Sequence, residues 1–151
     1  MTNSPFQALP PFRKPLRRRS KNMRAIRSVA NRTTEKRLSA ILVSAHLRGW
    51  RIRPEGVPGT PDFLFSRAQT VVFVDGCFWH GCPKCGHIPK TNKAYWRGKI
   101  ARNRARDARV TGRLRRQGFS VVRLWECNLR TRPSVCLRRI ERALIRARTR
   151  R

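Results

Sequence analysis

Thirty-seven Lys and Arg residues stand against seven Asp and Glu in this chain of 151 residues, a formal net charge of +30 at pH 7. A charge of that size repels itself and opposes compaction unless a polyanion neutralises it. Nucleic acid is the polyanion that fits, because each neutralised phosphate releases condensed counterions and the field steers encounter. A ribosomal-type packing protein and a plain bias toward Arg are the alternatives that charge alone leaves open. With 39% hydrophobic residues the chain can build one core and has little room for a second. No apolar run of about 18 residues is present to span a membrane. The first residues also lack an apolar segment with a cleavage site, so the reading is a cytoplasmic protein. Five Cys, an odd number in a reducing compartment, favour metal ligation or free thiols over a disulfide framework.

Residues 1–19 hold Pro5, Pro10, Pro11 and Pro15 beside the basic run Arg17, Arg18, Arg19, with too little apolar periodicity to pack. They read as a disordered basic arm, and residues 20–151 as a single domain. From Thr33 a helix is expected, capped by Thr33 or Thr34, with Leu38, Ile41, Leu42 and Ala45 on one face and Gly49 at its end. Glu35 borders that inward face. Three extended segments follow, near Trp50 to Arg53, Asp62 to Phe65 and Thr70 to Asp75; the continuous apolar run from Val71 to Val74 marks a central strand. After a Cys-rich loop, a long basic helix spans Lys93 to Gln117 and is ended by Gly118. Phe119 to Trp125 reads as another buried strand, and Pro133 as the first residue of a last helix carrying Leu137, Ile140 and Leu144. This order makes a mixed sheet with helices able to cover both faces.

A chain with so few acids shows where it cannot do without negative charge. Asp62, in the string PGTPDF, opens one strand, and Asp75 closes the next. Antiparallel neighbours would bring those ends together, and a hard cation such as Mg²⁺ takes one or two carboxylates plus water and phosphate. Ordinary turn acids are the other reading of the same pair. At 100° per residue, Trp96, Ile100, Asn103, Asp107, Val110 and Leu114 fall on one stripe of the long helix. A carboxylate in a buried stripe needs a partner. His80 is the imidazole that Asp107 could orient and make more basic, and a neighbouring Arg is the plainer partner.

Cys77, Cys82 and Cys85 have metal-knuckle spacing, and Cys127 follows the strand ending at Trp125. Three or four thiolates can close a tetrahedral structural Zn²⁺ site; His87 competes with Cys127 as the fourth ligand. Cys136, between Val135 and Leu137, is expected to pack in the core.

Read in order, SKNMRAI from Ser20, EKRL from Glu35, PGTPDF from Pro58, VFVDGCFWHGC from Val72, YW..KI..N...D from Tyr95 and LWECNLR from Leu124 resemble the very short patch repair endonuclease family over about Ser20 to Arg130. The resemblance implies an α/β, restriction-endonuclease-like fold of the PD-(D/E)XK type. It further implies a bacterial, nucleoid-associated enzyme that uses Mg²⁺ to nick duplex DNA 5′ of the T in a T:G mismatch left by deaminated 5-methylcytosine. It implies a monomer linked functionally to a cytosine-5 DNA methyltransferase. By matched position it assigns Asp62 to the Mg²⁺, His80 as general base, Asp107 as its support and Glu35 as the helix glutamate of the site. Cys77, Cys82, Cys85 and Cys127 become structural zinc ligands, and Phe78, Trp79 and Trp96 wedges in the base stack. Lys21, Asn22, Arg24 and Asn103 become DNA contacts. The sequence departs from the family pattern at three positions: Asp75 replaces a histidine, Cys82 a histidine zinc ligand, and Val74 a threonine whose main-chain carbonyl ligates metal. Asp75 is therefore expected either to join Asp62 and the Val74 carbonyl on Mg²⁺, the favoured reading, or to act as a histidine surrogate near the leaving group. A matched-duplex restriction or nicking endonuclease and a non-catalytic zinc-knuckle DNA-binding protein are the rival readings; the second gives no reason for Asp62, Asp75, Asp107 and His80.

Overall fold

The computed structural model describes residues 9–11 and 33–149. Its helices and strands, in order, are α1 (33–44), β1 (Trp50–Ile52), β2 (Phe63–Phe65), β3 (Thr70–Asp75), α2 (Lys93–Arg116), β4 (Ser120–Trp125), α3 (Glu126–Thr131) and α4 (Pro133–Arg148). The strands form one sheet in the order β1-β2-β3-β4. The first three are antiparallel neighbours, with Phe63 opposite Val72, while β4 runs parallel to β3, with Val74 opposite Leu124 and Asp75 opposite Trp125. Only a long crossover can join parallel neighbours, and α2 lies within it.

Strand alternation sorts the side chains into two cores. Phe63, Phe65, Val72, Val122 and Leu124 meet Leu38 and Leu42 of α1, Leu129 of α3, and Cys136 and Ile140 of α4. On the opposite face Leu64, Val71 and Phe73 meet Leu114 of α2, with Val110 and Phe119 at the margin. The sheet is thus a middle layer between α1 with α4 and α2. Leu38 is fully buried, so truncating it to Ala costs about 2–5 kcal/mol in transfer and cavity terms. Cys136 packs as expected. None of the helices is long and apolar enough to cross a membrane among the described residues.

Two expectations need correction, and one helix was not foreseen. Helix α1 stops well short of Gly49: His46, at φ 54°, already leaves the helix, and Gly49, at φ 77°, turns the chain into β1. Residues 126–131 form α3, hidden from a pattern reading because a single turn and a half carries one buried apolar side chain, Leu129. On α2 only Leu114 of the predicted inward stripe is fully buried; Trp96, Ile100, Asn103, Asp107 and Val110 are half-buried. Asn103, Asp107 and Val110 face an open cleft at the end of the sheet, where their polar groups are useful and burial is incomplete. Of the N-terminal arm, Leu9 sits over Gly98 of α2, where a Cβ would come within 2.8 Å of its Cδ2; the rest of that reading, and Lys21, Asn22 and Arg24, lie outside the described residues.

Candidate active site

The cleft has a volume of about 440 Å³ and lies where β2 begins and β3 ends, roofed by α2. Asp62 reaches it through a turn in which Gly59 and Thr60 both have left-handed backbones, at φ 79° and 50°. Gly59 fits because it has no side chain: a Cβ there would lie 2.3 Å from Cγ1 of Val110. The Asp62 amide donates to the Val72 carbonyl (3.0 Å), and its carboxylate accepts from the Val74 amide (2.6 Å). Within a strand the N–H and C=O of one residue point the same way, so the Val74 carbonyl is directed toward Asp62 as well. Burial pushes the Asp62 carboxyl up to about 6; the Val74 hydrogen bond opposes the rise, and the negative charges of Glu35 and Asp75 add to it. Glu35 itself pairs with Arg53 through Nε (2.7 Å) and Nη2 (2.6 Å). A desolvated carboxylate among other carboxylates is a seat that a divalent cation would satisfy, and oxygen donors suit Mg²⁺.

His80 enters from the loop after β3. Gly81, at φ 64°, lets that loop lie against α2, with Ile100 Cγ2 only 2.7 Å from where a Cβ would stand. This close approach brings His80 Nδ1 to the Asp107 Oδ2 atom on α2, in a direct hydrogen bond. The contact foreseen from the helix stripe is therefore made. Partial burial acts against ionisation of Asp107, but the hydrogen bond from His80 and the Arg123 charge hold its carboxyl below the usual range.

Asp75 is engaged by a guanidinium, and its carboxylate lies with the His80 imidazole and the Asp107 carboxylate in one cluster of possible metal ligands. Both of its oxygens accept from Arg123 of β4, Oδ2 from Nε at 2.8 Å and Oδ1 from Nη2 at 2.5 Å. His80 Nδ1 is 3.9 Å from Asp75 Oδ1. Arg123 is the participant that the sequence reading missed. An arginine between Val122 and Leu124 in an apolar strand was the available signal, since such a charge demands a buried partner.

Phe78, Trp79 and Trp96 form one aromatic cluster, edge to face, with centroids 5.0, 5.1 and 6.0 Å apart. All three are half-buried. Asn103, expected at the DNA, donates its amide to the Trp79 carbonyl at 2.8 Å and so braces this cluster. Lys99 and Arg106 complete the cleft wall with positive charge.

Below the aromatics the sulfurs of Cys77, Cys82, Cys85 and Cys127 all lie within 4.8 Å of one another. The Cys82 and Cys127 sulfurs are 3.7 Å apart, close to the edge of about 3.8 Å that a tetrahedral zinc–thiolate site requires. Burial would raise the Cys82 thiol, but the amides of Cys85 and Lys84 point at its sulfur and bring it down to about 7. The donor set therefore fits zinc, and it is Cys127 rather than His87 that joins it; His87 lies 5.8 Å from the Phe78 ring.

A family profile described as DNA mismatch endonuclease Vsr matches residues 14–85. The DNA mismatch endonuclease Vsr of Escherichia coli (strain K12) is 40% identical over 116 residues, covering 76% of this chain and 72% of that protein. Type II nicking enzyme V.XorIIP of Xanthomonas oryzae pv. oryzae is 41% identical over 114 residues, 74% of this chain and 82% of that protein. Type II nicking enzyme V.HpaIIP of Haemophilus parainfluenzae is 32% identical over 130 residues, 83% of this chain and 90% of that protein. The chain belongs to the Vsr DNA mismatch endonuclease family and is an endonuclease.

Proposed function

We propose that this protein nicks one strand of duplex DNA on the 5′ side of the T in a T:G mismatch, with Mg²⁺, in very short patch repair of deaminated 5-methylcytosine. The observation that carries the reading is the His80–Asp107 pair set in the same cleft as Asp62. Phosphodiester hydrolysis needs a base for the attacking water and positive charge at the non-bridging oxygens. With Nδ1 committed to Asp107, His80 keeps Nε2 to take the proton, and Asp107 stabilises the imidazolium that results. Asp62 and the Val74 carbonyl are the seat of Mg²⁺, which when bound supplies positive charge to the phosphate. Glu35 adds negative charge beside that seat, and Lys99 and Arg106 hold flanking phosphates. Asp75, held on both oxygens by Arg123, supports the base side of the cleft instead of ligating the cation.

Phe78, Trp79 and Trp96 are the wedge. Inserting aromatics into a base step costs a few kcal/mol and least where pairing is already distorted, as at a T:G wobble. Their mutual edge-to-face contacts and the Asn103 brace fix them before DNA arrives. The four thiolates hold a structural Zn²⁺ that ties the wedge loop to the end of β4. On this reading the fold is of the restriction-endonuclease-like, PD-(D/E)XK type, and the protein is a cytoplasmic monomer whose partner is duplex DNA, working beside a cytosine-5 DNA methyltransferase.

Single-turnover nicking of otherwise identical matched and T:G duplexes with Mg²⁺ tests the proposal. Nicking confined to the T:G duplex, on the T strand, is expected. Equal nicking of both would sink mismatch specificity and favour the rival reading, a nicking endonuclease that acts without a mismatch.

A further inference from the structure

Arg123 sits at the middle of β4, opposite Phe73 of β3, with its guanidinium 4.7 Å from the centre of the Phe73 ring. Nε and Nη2 grip both oxygens of Asp75, and the same Nη2 lies 3.1 Å from Asp107 Oδ1. The other oxygen of Asp107 is the one that holds His80. The Asp107 carboxylate is thus clamped between two cations or donors, one per oxygen, and cannot rotate about its Cβ–Cγ bond without breaking one contact. Arg123 in turn cannot follow it, because Asp75 and the Phe73 ring fix the guanidinium plane.

Nη1 of Arg123 is the one buried side-chain polar atom without a hydrogen-bond partner among the described residues. Left without any partner, such a donor costs about 1–3 kcal/mol. Nη1 itself is buried, although Arg123 borders the cleft.

We infer that Arg123 is a positioning residue of the nicking reaction: anchored by Asp75, it holds the Asp107 carboxylate in the plane that presents His80 to the cleft. The inference rests on the His80–Asp107 reading above. Asp75 and Arg123 then work as a unit, which gives the acid at the end of β3 a role without metal ligation.

The test measures single-turnover nicking, duplex affinity and zinc content for Arg123→Gln, Arg123→Lys, Asp107→Asn, His80→Ala and the double variant Arg123→Gln/Asp107→Asn. Misplacing a base by about 1 Å costs about a hundredfold in rate, so Arg123→Gln should nick about a hundredfold more slowly with duplex affinity and zinc unchanged. Arg123→Lys retains the charge on one contact point and should recover about tenfold of that loss; it also stands in if the Gln variant fails to fold. Because Arg123 acts through Asp107, adding Arg123→Gln to Asp107→Asn should slow nicking less than threefold further. A folded Arg123→Gln protein that nicks within threefold of wild type overturns the inference, as do losses that multiply in the double variant. If His80→Ala and Asp107→Asn nick at the wild-type rate, the reading of the base itself has failed, and with it the ground of the inference.

Discussion

Replacing Asp62 with Asn should make the metal-free protein more stable while abolishing nicking. The carboxyl is raised from 3.8 to about 6, chiefly by burial, which corresponds to about 3 kcal/mol against the ionised form. Because the folded-state value lies above the unfolded one, the unfolded chain releases this proton first as pH climbs. The associated stability is complete below about pH 4 and lost as pH rises through about 6. Asn avoids that cost and keeps an acceptor for the Val74 amide, now 2.6 Å from the carboxylate. The open side of the cleft reduces the gain, leaving about 1–2 kcal/mol at pH 7.5 and almost nothing at pH 4. Urea unfolding of both proteins at the two pH values, without Mg²⁺ and without chelator so that the thiolate site is undisturbed, reads the difference directly. An Asn variant no more stable than wild type at pH 7.5, or equally more stable at both pH values, would refute the claim that Asp62 is ionised at an electrostatic cost.

His80→Ala should lose nicking by two orders of magnitude or more while keeping zinc and duplex affinity, and unaltered turnover would remove His80 as the base. Purified protein should contain one zinc per chain; Cys82→Ser and Cys127→Ser should lower that content and the melting temperature, whereas Cys136→Ser should leave zinc unchanged because its thiol packs in the core. Gly59→Ala should destabilise by about 1–3 kcal/mol and slow nicking, since the added Cβ meets Val110 and displaces the turn that carries Asp62; a silent substitution would show that the turn adjusts freely. Affinity for duplex DNA should fall about a thousandfold or more between 50 and 200 mM salt, as several phosphate contacts require, and salt-insensitive binding would contradict a charge-driven interface.

Much of this protein was readable from one dimension. Charge excess is a property of composition, so the polyanionic partner needed no fold. The Cys77–Cys85 spacing is local, and so the knuckle was visible. The alternation and apolar runs that placed β3, α2 and α4 reflect burial on periodic surfaces, which the sequence must encode wherever a core is built. The link between His80 and Asp107 could be anticipated because a carboxylate on a largely apolar helix stripe asks for a donor.

What required the tertiary structure was every fact that depends on which ends meet. Parallel pairing of β3 with β4 sets Arg123 beside Phe73 and brings its guanidinium onto both oxygens of Asp75. That register joins residues 48 positions apart, and no local period carries it. The choice of Cys127 over His87 was decided in the same way, by the end of β4 arriving beside the loop that follows β3. Local sequence determines which side chains can be buried or charged; only the closed sheet determines which of them share a carboxylate, because long-range contacts arise from the simultaneous packing of all the strands and helices and not from any one of them.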